Sequence, residues 1–153
     1  MNVFRIVRAD RVALEGNGAA EFPGRWNTLD VPCVYTSPTP ALAQLEVMAN
    51  VEDWKIFMTV KHVVLRIDVP DDRLHPVPEG DLPAGWADAV CDPRTQEMGA
   101  SLLNKPEILA FAVPSAVSRT ERNVVLNARV TDFEKLVKVE GLFPFEFDER
   151  LMK

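Results

Sequence analysis

The longest apolar runs of this chain are short, and prolines close them. Val31 to Ser37 lies between Asp30 and Pro38, Thr59 to Val69 stops at Pro70, and Ile108 to Val113 stops at Pro114. Proline cannot donate to a β-ladder, so these runs predict separate short strands. Val3 to Val7 and Asn123 to Asn127 predict two more. Helical signals are few. Thr39 followed by Pro40 reads as an N-cap and first helical position, with Leu42, Leu45 and Ala49 at helical spacing and an end between Asn50 and Trp54. Asp92-Pro93 starts a second helix, whose apolar side is Met98, Leu102 and Leu103 and which Asn104-Lys105-Pro106 ends. Many short strands, two or three helices and no regular strand-helix alternation predict an α+β chain: a single domain with a mixed β-sheet core and a few helices. The 153 residues suffice for one such core.

The remaining stretches fill in this outline. Along Thr59 to Val69, Lys61, Val63, Leu65, Ile67 and Val69 share one face, and Val60, His62, Val64, Arg66 and Asp68 the other. His62 therefore reads as a strand residue facing a helix or solvent, not as a base. Asp10 to Gly18 reads as a loop in which Gly16-Asn17-Gly18 breaks any helix, and Asp71 to Ala84, rich in proline and acid, as a surface loop. Trp86 reads as a hydrophobic anchor. Thr131 and Glu134 have capping-box spacing, and Phe143, Phe145 and Phe147 alternate onto one face, a pattern of core residues.

One stretch carries chemistry in unusual density. From Phe22 to Glu46 the chain sets Arg25 after a Pro23-Gly24 turn, Tyr35 on a strand and Glu46 on a helix. A glycine before Arg25 lets the backbone approach a ligand while the guanidinium clamps a phosphate or carboxylate. Cys33, Tyr35 and Ser37 share one strand face. Glu46, four residues after Leu42, falls at the margin of the buried helix face, where it is either a solvated carboxylate or a site residue aimed at the preceding strand. Arg5, in an apolar strand, either pairs with a carboxylate or lines a site. Trp26 reads as core or site. Ser115 lies at the end of a buried strand, where sites often form, but no Gly-x-Ser-x-Gly elbow surrounds it and no histidine is placed to take its proton. A hydrogen-bonding role suits it better.

Charge and cysteine content exclude other classes. A net charge of −6 argues against direct nucleic-acid binding, while leaving room for a locally basic pocket holding Arg25 with help from Arg5 or Arg122. Cys33 and Cys91 match no metal spacing, and His62 and His75 fall in no ligand pattern, so no metal site is expected. No run of eighteen apolar residues and no basic start before an apolar core are present, so no membrane segment and a cytoplasmic location are expected.

Gly24-Arg25-Trp26-Asn27, Tyr35-Thr36-Ser37 and Ala41-Leu42-Ala43-Gln44-Leu45-Glu46 together resemble the signature of the RES domain family, toxins of bacterial toxin–antitoxin pairs. The resemblance extends over residues 1–153. Phe4-Arg5-Ile6-Val7 resembles the opening strand, Leu82-Pro83 with Gly85-Trp86 the middle, and Val113-Pro114-Ser115 with Arg122-Asn123 and Leu126-Asn127 the C-terminal motif. Phe145 to Leu151 resembles the closing segment. The family's arginine, glutamate and serine map to Arg25, Glu46 and Ser115. Where the family often reads Pro-x-His-Pro after the asparagine, this chain has Ala128-Arg129-Val130-Thr131, so no ligand contact from that loop is carried over by the resemblance, whereas Arg25, Tyr35 and Glu46 are.

The resemblance implies a fold similar to ADP-ribosyltransferases, with NAD as substrate and no metal. It implies Arg25, Tyr35 and Glu46 as catalytic residues, and Arg5, Trp26, Ser37, Ser115 and Asn123 as substrate-binding residues. Arg25 would bind the pyrophosphate or nearby ribose oxygens, Tyr35 would pack on nicotinamide or its ribose, and Glu46 would stabilise charge as the glycosidic bond opens. The expected partner is an Xre-type DNA-binding antitoxin, and a homodimer is left open. Cleavage of NAD is the leading expectation, with protein mono-ADP-ribosylation as its alternative. Two rivals of other classes stand beside it: a non-catalytic binding module in which Arg25 and Glu46 form a structural ion pair, and a serine hydrolase using Ser115.

Overall fold

The computed structural model describes residues 1–152. In chain order the elements are β1 (Asn2–Arg8), α1 (Asn17–Glu21), β2 (Val34–Thr36), α2 (Pro40–Asn50), α3 (Trp54–Met58), β3 (His62–Asp68), β4 (Leu74–Pro76), α4 (Pro93–Leu103), β5 (Ala110–Pro114), β6 (Arg122–Leu126), α5 (Phe133–Leu136) and β7 (Lys138–Phe145). The strands form two sheets, an antiparallel one in the order β1-β3-β7 and a mixed one in the order β2-β6-β5-β4, where only β4 and β5 run parallel. The α+β expectation holds. Among the described residues no helix is long and apolar enough to cross a membrane.

The two sheets meet at one point. Phe4 of β1 and Ser37, just past β2, exchange both backbone hydrogen bonds, at 2.7 and 2.9 Å. From this seam the sheets diverge. One core cluster, with Val3, Val34, Leu65, Ile67, Leu109 and Leu126, fills the space behind it, and a second, with Trp26, Cys33, Trp86, Leu103, Phe111 and Val125, lies under α4.

β3 shows the alternation its sequence predicts, with Val63, Leu65 and Ile67 buried and His62, Val64 and Arg66 on the half-open face. His62 stacks on Phe57 of α3 with ring centroids 3.9 Å apart. Thr39 caps α2 by accepting from Leu42 N at 3.1 Å, and Asp92 caps α4 by accepting from Arg94 N at 2.8 Å. Trp86 is buried, as an anchor should be, against Trp26 with centroids 6.2 Å apart.

Four local expectations give way, and one unforeseen short helix is added. Gly16 does not end a helix but starts α1 from the left-handed region, at φ 74°. Asp71 to Ala84 is not all surface loop, because Leu74–Pro76 pairs with β5 and Val77 is 2% exposed. α3 follows the predicted helix end because Asp53 caps a new turn, accepting from Lys55 N and Ile56 N. The Thr131 capping box does not form; Asp132, at φ 62°, holds the N-cap position without a side-chain bond. Of the three alternating phenylalanines only Phe147 is core; Phe143 is 45% exposed beneath the Arg66 guanidinium.

Candidate active site

A cleft of about 820 Å³ opens at the seam between the sheets. It collects Arg5, Arg25, Trp26, Tyr35, Ser37, Glu46 and Asn123 from β1, the segment after α1, β2, α2 and β6. Residues up to 118 positions apart thus face one space. Ser115 and Arg122 lie outside the lining, and Ser115 acts from behind through Glu46.

Glu46 is held by one of its two oxygens. Its Oε1 accepts from Ser115 Oγ at 2.7 Å and from Asn123 Nδ2 at 2.5 Å. Ser37 Oγ donates to Asn123 Oδ1 at 2.8 Å, which fixes the amide with its nitrogen toward Glu46. Ser115 Oγ in turn accepts from the backbone of Val117 and Ser118 at 3.1 and 3.0 Å. Among the described residues nothing donates to Oε2. A carboxylate oriented on one oxygen and open on the other suits an interaction with ligand. Ser115 itself is completely buried and gives its proton to Glu46, so it is not available as a nucleophile.

Arg25 rides on a loop held with unusual rigidity. Asn27, fully buried, accepts from Gly24 N and from the Tyr35 hydroxyl at 2.8 and 2.7 Å, and donates to Ala19 O and Val31 O. Tyr35 also accepts from Trp26 N at 2.9 Å. Burial pushes the Tyr35 hydroxyl pKa well above its ordinary value. That hydroxyl is a clamp for the loop, leaving only the ring for the cleft. Gly24 serves the same packing: a Cβ there would sit 2.7 Å from the Tyr35 hydroxyl, so close approach to this side chain, not to a ligand, requires glycine. Asn27, quoted in the family motif but not among the expected site residues, is the hub. Its signal was its place inside that motif, not its residue type.

The two cleft guanidiniums have no carboxylate partner among the described residues. Arg25 Nη1 donates to Trp86 O at 2.5 Å and Nη2 to Asp88 O at 2.9 Å. No Arg25–Glu46 ion pair forms. Arg5 has neither an ion pair nor a hydrogen bond among these residues, and burial lowers its pKa from the ordinary value. Of its two sequence readings, the cleft position is the one observed. Arg122 is a different case. It points away, donating to Val77 O and Ala112 O, and ties the end of β4 to β5. Among the described residues no cluster of three or more His, Cys, Asp or Glu side chains is arranged for a metal ion.

Fold and cleft make this chain a small α+β protein with a crevice between two sheets. The RES domain model matches residues 2–148, and the chain belongs to that family. A Toxin Res of Photorhabdus laumondii is 32% identical, over all of this chain and 98% of the relative. A Prs ADP-ribosylating toxin of a Sphingobium species is 27% identical, over 92% of this chain and 87% of the relative. Among solved structures, a chain of the M. tuberculosis MbcT–MbcA toxin–antitoxin complex superposes with a TM-score of 0.68. The match covers 95% of this chain and 81% of that one at 22% identity, and shows a shared fold.

Proposed function

We propose that this protein is the toxin of a toxin–antitoxin pair and that it cleaves the nicotinamide–ribose bond of NAD, depleting NAD and arresting growth. One observation carries the reading: Glu46, anchored through Oε1 by Ser115 and Asn123 and with no donor on its other oxygen among the described residues, lines a cleft that also holds two guanidiniums without carboxylate partners. The combination suits a diphosphate joined to a sugar that develops positive charge.

The chemistry needs little more. Nicotinamide leaves as a neutral pyridine from a cationic nitrogen, so no general acid is required, unlike most glycoside hydrolysis with its two carboxylates. Glu46 then hydrogen-bonds a ribose hydroxyl and stabilises the ribosyl cation. Arg25 and Arg5 hold the diphosphate. The Tyr35 ring packs on nicotinamide or its ribose, with Trp26 beside it in the wall. Ser37, Asn123 and Ser115 set the carboxylate's direction. The location follows from the role: a cytoplasmic toxin restrained by an Xre-type antitoxin. No metal takes part.

Transfer of ADP-ribose to a protein is the second reading, favoured by the name of the Sphingobium relative. Hydrolysis and transfer differ only in what meets the ribosyl cation. Mass spectrometry of purified protein incubated with NAD and a cell extract separates them: free ADP-ribose as the main product is expected, whereas a mass gain on an extract protein without free ADP-ribose favours transfer. The binding-module rival loses its premise because Arg25 bonds carbonyls and not Glu46. The serine-hydrolase rival loses its nucleophile to burial.

A further inference from the structure

One wall of the cleft is anchored at both ends and almost free between them. Ala87, Ala89 and Cys91 line the cleft, while Asp88, Ala89 and Val90 are exposed, Val90 to 83%. Before this segment, Trp86 is buried against Trp26 beneath the Arg119 guanidinium, and Arg94 Nη2 donates to Ala84 O at 3.0 Å. After it, Asp92 caps α4. The segment's own backbone bonds are local turns, Trp86 N to Pro83 O and Asp88 N to Gly85 O. Gly85, at φ 80°, is in the left-handed region that lets the chain turn there. Few bonds and exposed side chains are the marks of a segment at the low end of local stability.

What holds its middle to the cleft is Arg25. Of the two carbonyls it contacts, that of Asp88 lies in this segment and that of Trp86 at its buried anchor, and together they occupy both terminal nitrogens of the guanidinium. The arginine's own base cannot yield. Asn27 and Tyr35 fix the loop, Gln96 Nε2 donates to Gly24 O at 2.9 Å, and α4 presses Gly99 against the Trp26 carbonyl. A carbonyl is a neutral acceptor, whereas a phosphate adds ionic attraction and can take both N–H groups of the fork at once. When both compete for the same fork, the phosphate wins and the weakly held side gives way.

We propose that residues 87–90 are a lid on the cleft and that Arg25 is its latch: an anionic group of the ligand takes over the guanidinium, and the carbonyls of Trp86 and Asp88 are released. This rests on the reading of the cleft as a site for an anionic substrate. The proline-rich stretch 71–84 does not line the cleft; the segment that follows it does. Substrate entry and lid opening then use one cation. The same exchange in reverse closes the cleft as the diphosphate product leaves.

Hydrogen–deuterium exchange on the full chain tests this, with inorganic pyrophosphate as the probe because it is too small to cover the segment. Saturating pyrophosphate, with binding followed by calorimetry, should speed exchange at the Asp88 amide, the one N–H of residues 87–90 that has a backbone acceptor, by about tenfold or more, as its turn is released with the charge-assisted bonds. Arg25→Ala should show the fast rate without anion and no further response. Unchanged or slower exchange in wild type with pyrophosphate bound, or no pyrophosphate binding, would overturn the latch and leave the carbonyls as props that orient Arg25. The wild-type arm needs no variant, so a misfolded variant does not blunt the test. NAD cleavage is read separately. A protein that cleaves NAD while its segment ignores pyrophosphate refutes the lid alone, and one whose segment responds while NAD stays intact refutes the NAD reading alone.

Discussion

At the scale of residues, direction matters more than identity. A glutamate at the margin of a helix face is ordinary; two donors on one of its oxygens make Glu46 different. Spacing located Glu46 and the family motif located Ser115, yet neither could show that Ser115 speaks to the cleft only through Glu46. Arg122 shows the same limit from the other side, since a guanidinium suited to a basic pocket turned to backbone carbonyls instead. Burial at this scale also sets a pH response. The Cys33 thiol is pushed up from 9.0 to about 12, and the Tyr35 hydroxyl is raised from 10.0, both chiefly by burial. The folded protein keeps these protons at pH values where the unfolded chain has lost them. Their stabilisation is complete below pH 9 and is lost as pH climbs through 9 to about 12. Each group contributes a slope of about 1.4 kcal/mol per pH unit in its window. Melting temperature should therefore fall steadily above pH 9, and Cys33→Ala should flatten the lower part of that fall. A melting temperature that holds level across this range would show that these groups are more solvated than the fold implies.

At the scale of elements, strands with a clean two-residue period were readable and those defined by a partner were not. β3 alternates and is legible, although the run Thr59 to Val69 overruns the strand by three residues at its start and one at its end. β4 carries Pro76 and is bounded by Pro78, so by composition it reads as loop; it is a strand only because β5 offers an edge beside it. α1 and α3 are single turns fixed by Gly16 and Asp53, signals too local to stand out from the loops around them. α4 was readable from its caps, but its tightest contact was not. A Cβ on Gly99 would lie 2.0 Å from the Trp26 carbonyl oxygen. Helix propensity favours Gly→Ala by about 1 kcal/mol, whereas forcing backbone apart in a packed interior costs about 1 to 3 kcal/mol. The clash wins here because the obstructing atom is backbone. Gly99→Ala should lower the melting temperature and, by displacing the loop that carries Arg25, weaken NAD cleavage further than the stability loss explains. A more stable, fully active variant would contradict this packing.

At the scale of the whole molecule, the cleft exists because two small sheets join at a single bridge and then part. No run of sequence encodes that seam; it arises from Phe4 and Ser37, thirty-three positions apart, exchanging backbone bonds. The order of the family motifs along the chain was legible, and with it seven of the side chains that line the cleft. Their convergence was legible only through the family, because nothing local distinguishes a strand that ends at a seam from one that ends in solvent. The central claim is that this convergence cleaves NAD through Glu46. The direct measurement is NAD consumption by purified wild type and Glu46→Gln, both checked for equal melting temperature. Wild type should consume NAD and release nicotinamide, and the variant should be slower by about 10² to 10³, the usual cost of one preorganised charge-stabilising group. A folded variant that matches wild type, or a wild type that leaves NAD intact, would contradict it.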